Sequence, residues 1–272
     1  MEILLLCNQN DAVVSSLHER LAVMGIKSHI VTAEELQYAS LWTHNLDRHA
    51  KGFTEILLQN NQAIKSDELK VVWNRIRYFP MAHFKNETDR YYAQNEMSAL
   101  YFSFLKSIEH TLIYPVSNYS FSSPEDNPMY LKHEAIKAGL DVLNYYFTTS
   151  PRWQSPKNMI AVDPGKRFGT RFQKKAPHLV WQNQPVTFSE EASDPKSVWI
   201  VGDEIFGDEI ILKNSSLKRL ALNLKKELVE VQFANTREGY KVSYINSFPA
   251  YVPADVINSL AIQFIKKTVK AS

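Results

Sequence analysis

Runs of apolar residues along the chain follow two periods, and the change from one to the other marks out its elements. Residues 3–7, Ile-Leu-Leu-Leu-Cys, are continuously apolar and predict a strand buried on both faces. Asp11 caps a predicted helix whose apolar positions, Val13, Val14, Leu17, Leu21 and Met24, recur at helical spacing as far as Gly25. A second strand over 29–32 completes a β-α-β opening, which implies helices over a mostly parallel sheet. Further strands are expected over 53–62, 69–73 and 113–116, with a long aromatic-rich helix over 87–110. The polar, proline-containing stretch 120–128 marks a domain boundary. Beyond it come a compact helix over 132–139 and short strands at 145–149, 159–162, 178–182 and 197–201. Residues 203–207 are read as a turn leading to the apolar run 210–212.

The stretch 217–249 is the one in which pattern and chemistry meet. Leu217, Leu220, Ala221, Leu224 and Leu228 form one helical face, with Lys218, Lys225 and Lys226 largely off it. A strand-like run over 229–233, a Glu-Gly turn at 238–239 and a second strand-like run ending at Asn246 and Pro249 follow. Val256, Ile257, Leu260, Ala261, Phe264 and Ile265 then define a closing amphipathic helix over 254–267. Three domains are expected from this order: 1–118, 119–195 and 196–272.

Composition narrows the function classes. The chain has 272 residues, 44% hydrophobic and 22% charged, enough for one large core or two to three small ones. Lysine and arginine number 31 against 29 acids, so no polybasic surface points to nucleic acid. The start, Met1-Glu2 followed by a short apolar run, lacks the basic region of a signal peptide, and no run reaches membrane-spanning length. Cys7 is the single cysteine, which excludes an internal disulfide, a thiolate zinc cluster and a CxxC pair; a cytoplasmic setting is expected. After the first strand, Asn8-Gln9-Asn10-Asp11-Ala12 contains no glycine, so the phosphate cradle of a dinucleotide site is missing. His83, His110, His133 and His178 have no metal-ligand spacing, and Asp203, Glu204, Asp208 and Glu209 read as a solvated acidic hairpin. Trp73, Trp153, Trp181 and Trp199 are read as packing residues. Arg75 and Arg77, beside the end of a strand, are candidates for holding a carboxylate or phosphate.

Several short matches in order carry a family resemblance. They are Val72-Trp73-Asn74-Arg75 with Pro80, Asn95-Glu96, Lys132 with Ala138-Gly139-Leu140, Thr148-Thr149-Ser150-Pro151, and Val201-Gly202-Asp203-Glu204-Ile205-Phe206. With the 217–249 stretch, they resemble the ATP-grasp superfamily, most closely its maturases of ribosomally made peptides. The resemblance implies a mostly parallel α/β N-terminal domain, a small antiparallel central domain and a C-terminal α+β domain. It also implies activation of a carboxylate by ATP as an acylphosphate and its transfer to an amine or hydroxyl. Magnesium held by acids and an Asn on the last two strands belongs to that chemistry, as do phosphate-binding lysines and a Gly-rich lid. Homodimers and a peptide substrate are further implications.

The sequence departs from this pattern at named positions. Gln232 and Tyr244 stand where acids are expected, and Asp163 stands where a phosphate-binding lysine is expected; Asn246 remains. The lid is reduced to Gly165 and Gly169, with Lys166, Arg167 and Arg171 nearby. Glu230 and Glu238 are close enough in sequence to substitute as metal ligands, and Glu230 shares a strand face with Gln232. Three readings follow. The first is a degenerate ATP-grasp protein that binds a peptide, carboxylate or partner ligase, with Arg75, Arg77 and Lys132 holding anions and Asn246 a relic. The second is an active ligase of carboxylate to amine or ester with recruited acids. The third is an unrelated α/β binding protein.

Overall fold

The computed structural model describes residues 3–46, 52–80, 84–114, 128–148, 159–162, 186–190, 193–212, 215–224 and 226–270. Two compact units divide the chain: Met1–Pro124 with Pro249–Ser272, and Glu125–Phe248. In sequence, the second unit is an insertion into the first.

The first unit is built on β1 (Ile3–Cys7), whose five side chains are all buried. It is followed by α1 (Ala12–Val23), β2 (Ser28–Thr32), α2 (Ala33–Gln37), β3 (Leu41–Leu46), β4 (Gly52–Leu57), β5 (Ala63–Lys65), β6 (Val71–Asn74) and α3 (Glu87–Ser107). β1 is central in a parallel sheet of order β2-β1-β6. Its continuous apolar sequence matches that position, because a central parallel strand is covered on both faces. Leu4 and Leu6 join a core with Val31, Ile56, Val72, Tyr101 and Phe104. Asp11 caps α1 as expected, its Oδ1 accepting from the N–H of Val13 and Val14.

β3, β4 and β5 form a separate antiparallel sheet. The sequence pattern did not show β3, and β4 ends at Leu57 rather than continuing to 62; Asn61 there has a φ of 64°, in the left-handed region. Hydroxyl and imidazole groups tie this sheet to α3: Ser103 Oγ lies 2.7 Å from His44 Nε2, and Thr54 Oγ1 lies 3.2 Å from Ser107 Oγ. Residues 113–114 are not a strand. They follow a single parallel bridge between Val72 and Leu112.

The second unit contains α4 (Pro128–Lys137), β7 (Tyr145–Thr148), β8 (Met159–Val162) and β9 (Val186–Glu190), the three strands forming an antiparallel sheet of order β7-β9-β8. The expected strand at 178–182 lies outside the described residues. Then come β10 (Ser193–Val201), β11 (Glu204–Gly207), α5 (Glu209–Leu212), α6 (Ser216–Leu224), β12 (Val229–Thr236) and β13 (Gly239–Asn246), with sheet order β11-β10-β12-β13. Residues read as a turn, 204–207, are thus a strand, because Ile205 and Phe206 pair with Ile200 and Trp199; 210–212 are helical. One face of this sheet packs Val198, Ile200, Val229, Val231, Phe233, Val242 and Ile245 against Leu131 and Ala135 of α4 and Leu217, Leu220 and Leu224 of α6. The chain closes with α7 (Ala254–Lys270), which packs on α1 and β6 of the first unit. There Phe264 meets Trp73 edge-on at 5.4 Å between ring centroids.

Gly207 ends β11 with a φ of 133°, and a Cβ built on it would lie 2.6 Å from the carbonyl oxygen of Ser197. Gly207→Ala is therefore expected to cost on the order of 3 kcal/mol, from strain and from displacing a paired strand, with urea denaturation as the check.

Candidate functional site

Alternation sorts β12 into two faces. Val229, Val231 and Phe233 enter the core, which leaves Glu230 and Gln232 on the opposite face. β13 does not alternate strictly, since Val242 and Ile245 both enter the core. The register explains this: Gln232 pairs with Tyr244 and Phe233 pairs with Val242, so Ser243 is an extra residue in a bulge. Its hydroxyl donates to the carbonyl of Gln232 at 3.1 Å. Beyond the bulge, Asn246 stands directly opposite Glu230 and Tyr244 opposite Gln232. On the other side, β10 places Trp199 opposite Glu230 and Ser197 opposite Gln232.

These residues form a polar cluster around one carboxylate. Glu230 is 2% exposed and Gln232 is 6% exposed. Ser197 Oγ donates to Glu230 Oε1 at 3.1 Å, Gln232 Nε2 donates to the same oxygen at 3.2 Å, and Asn246 Nδ2 donates to Oε2 at 3.2 Å. A carboxylate only accepts, so both amides must turn their NH2 groups toward it. Asn246 Oδ1 faces away and accepts from the N–H of Phe248 at 3.0 Å. Glu230 and Asn246, both singled out in the sequence, are thus brought together. Glu238 is not brought to them. It lies in the turn at the far end of the β12–β13 hairpin, six residue pairs and about 20 Å along the strands. There it pairs with Lys241 at 2.7 Å.

Arg75 belongs to the first unit and is 5% exposed. Its Nε meets Asp11 Oδ2 at 2.8 Å, its Nη2 donates to the carbonyl of Pro249 at 3.1 Å, and its guanidinium lies 5.0 Å from the centre of the Trp73 ring. Asp11 therefore has two tasks, capping α1 with one oxygen and pairing Arg75 with the other. Arg77 is exposed, and its N–H donates to Asn8 Oδ1 at 3.0 Å. Lys132 lies on α4 at 8% exposure, and burial pushes its ammonium down to about 7. Lys166, Arg167, Arg171 and Asp163 lie outside the described residues. Cys7 is buried, and that burial pushes its thiol up to about 12, the state of an inert core residue.

Two further residues of the cluster, Ser197 and Trp199, had no functional reading in the sequence. The signal available was their period of two with Val198 and Ile200, which puts both on the face of Glu230. Among the described residues no group of three or more His, Cys, Asp or Glu side chains is placed to hold a metal ion, and no helix is long and apolar enough to cross a membrane.

Comparison with solved structures places this architecture among the ATP-grasp ligases. The macrocyclase MdnB from Microcystis aeruginosa MRC superposes with a TM-score of 0.73 at 15% identity, over 97% of this chain and 99% of that one. A RiPP-associated ATP-grasp ligase from Chryseobacterium gregarium, in complex with ADP and a leader and core peptide, gives 0.73 at 13% identity, over 98% and 97%. The ATP-grasp ligase PsnB, complexed with a minimal precursor, Mg and ADP, gives 0.67 at 16% identity, over 98% of each chain. No family model and no curated protein matches the sequence. The chain thus has the ATP-grasp fold.

Removing Asp11 leaves Arg75 buried without its carboxylate and α1 without its cap. Asp11→Ala is expected to destabilise the first unit by about 3 kcal/mol or more, and Asp11→Asn by less because the cap is kept; denaturant titration separates the two. For Lys132, the folded state releases the proton near pH 7 and the unfolded chain near its ordinary value of 10.5. The unfolded state binds more protons between those limits, so stability rises with pH across that window. Lys132→Met removes that titration, so its stability is expected to vary less between pH 6 and pH 9.5 than that of the parent, as read from thermal melts.

Proposed function

We propose that this chain is a peptide-binding ATP-grasp-fold component of peptide maturation that does not carry out magnesium-ATP ligation. The observation that carries this reading is the state of Glu230. Both of its oxygens already accept from protein donors, and Asn246, the residue that would join it on a metal, directs its NH2 rather than its oxygen toward it. Magnesium requires near-octahedral hard oxygen ligands at about 2.0–2.1 Å, and an N–H or O–H donor aimed at the same carboxylate competes with it. Gln232 and Tyr244 add an amide and a phenol where the resemblance implies acids. The residues present therefore do not fit a magnesium ion bridging a triphosphate.

The neighbours that hold leader, core or precursor peptides support a peptide as the ligand. A component without nucleotide chemistry needs a separate enzyme to activate the carboxylate, so on this reading the chain works beside an active ligase. Arg77 and Lys132 are the cations kept as anion-holding candidates. Arg75 is assigned to holding Asp11 and the Pro249 carbonyl instead.

A second reading, an active ligase using Glu230 as its metal ligand, draws support from the pairing of Glu230 with Asn246. Calorimetry with magnesium-ATP separates the two. The expected result is no saturable heat at millimolar nucleotide and no ADP release in the presence of peptide. Saturable binding of magnesium-ATP that disappears in Glu230→Gln would establish the ligase instead.

A further inference from the structure

Within the second unit, among the described residues, two buried side-chain polar atoms have no hydrogen-bond partner: Gln232 Oε1 and Trp199 Nε1. Buried polar groups are nearly always satisfied, so such atoms call for an explanation. The orientation of Gln232 is fixed by Glu230, which demands its NH2, and the unpartnered oxygen is therefore a consequence of the cluster. Trp199 pairs with Glu230 across the β10–β12 ladder, which makes it the diagonal neighbour of Gln232 on the same sheet face. Diagonal neighbours are about 7–8 Å apart from residue to residue, within reach of aromatic and long side chains such as these two.

The pair is one donor and one acceptor, and this restricts the ligand. A phosphate or carboxylate only accepts and would leave the Gln232 oxygen without a donor. A metal ion or an ammonium group suits Gln232 Oε1 but offers nothing to an indole N–H. A ligand that accepts from Trp199 and donates to Gln232 satisfies both. Trp199 and Tyr244, both half-buried on this face, suit a planar group. We infer that the β10–β12 face of the second unit seats a peptide amide, whose carbonyl accepts from Trp199 Nε1 and whose N–H donates to Gln232 Oε1. The inference rests on the peptide-binding reading above and names the group by which the peptide is held.

The test follows the indole N–H resonance of Trp199, assigned with Trp199→Phe, in the full chain. The probes are N-acetyl-triglycine amide, its depsipeptide analogue with an ester in place of a peptide N–H, and adenosine. The expected result is a saturable downfield shift with the peptide, weaker for the ester. Gln232→Met, which keeps length and removes the acceptor, is expected to weaken peptide binding about tenfold. If that variant does not fold, the Gln232 NH2 resonance read in Trp199→Phe replaces it, with the same tenfold loss expected. A signal that no probe moves means that the two atoms hold water only and overturns the seat. Saturation by adenosine at lower concentration than by peptide also overturns it, in favour of a base. The magnesium-ATP calorimetry is independent: nucleotide heat with an intact peptide shift overturns the parent reading alone, and neither heat nor shift overturns the seat alone.

Discussion

In a regular antiparallel ladder, residues two apart share a face, so Val242 and Ile245 could not both point into the core. The extra residue at Ser243 resolves this conflict, and much of the second unit depends on it. The bulge lets α4 and α6 pack on an unbroken apolar surface while Tyr244 and Asn246 are turned to the opposite side. The Ser243 hydroxyl bonds the Gln232 carbonyl beside the bulge. The polar cluster is thus a product of how the core is packed, and its geometry is as rigid as the sheet that carries it.

Both units bury a charge and compensate it from within. In the first, Arg75 is held by Asp11, a backbone carbonyl and the face of Trp73. In the second, Glu230 is held by a hydroxyl and two amides. Such groups are costly to expose halfway, because removing one partner strands the other in a low-dielectric interior. An arginine beside a strand end carries no sign in the sequence of the carboxylate that pairs with it.

Legibility in the sequence followed the strength of the period. β1, α1, α6 and α7 are long or uniformly patterned and were readable, as was the hairpin at 229–246. β3 was not, because Trp42-Thr43-His44-Asn45 has no clean alternation; its His44 bonds Thr54 of β4 with one ring nitrogen and Ser103 of α3 with the other. β11 was taken for a turn because Glu204 begins it and only register with β10 makes it a strand. In the site, sequence proximity made both Glu230 and Glu238 candidates, with only Glu230 on the face of Gln232, and hairpin register puts the two at opposite ends. The bond between Asp11 and Arg75 spans 64 positions and leaves no local trace. Trp199 looked like packing, since an unpartnered indole N–H exists only once its surroundings are assembled.

The return of the chain to its first unit has a consequence for biogenesis. When β1, α1 and β6 have been synthesised, α7, which will cover Trp73, has still to be made, with all of Glu125–Phe248 in between. The first-made unit must therefore wait, with an apolar face open, until the second has emerged. Contacts between positions so far apart form late and slowly, and an open face in the interval favours association with other chains. Loss of α7 would accordingly be felt in α1 and β6, which are made well before it.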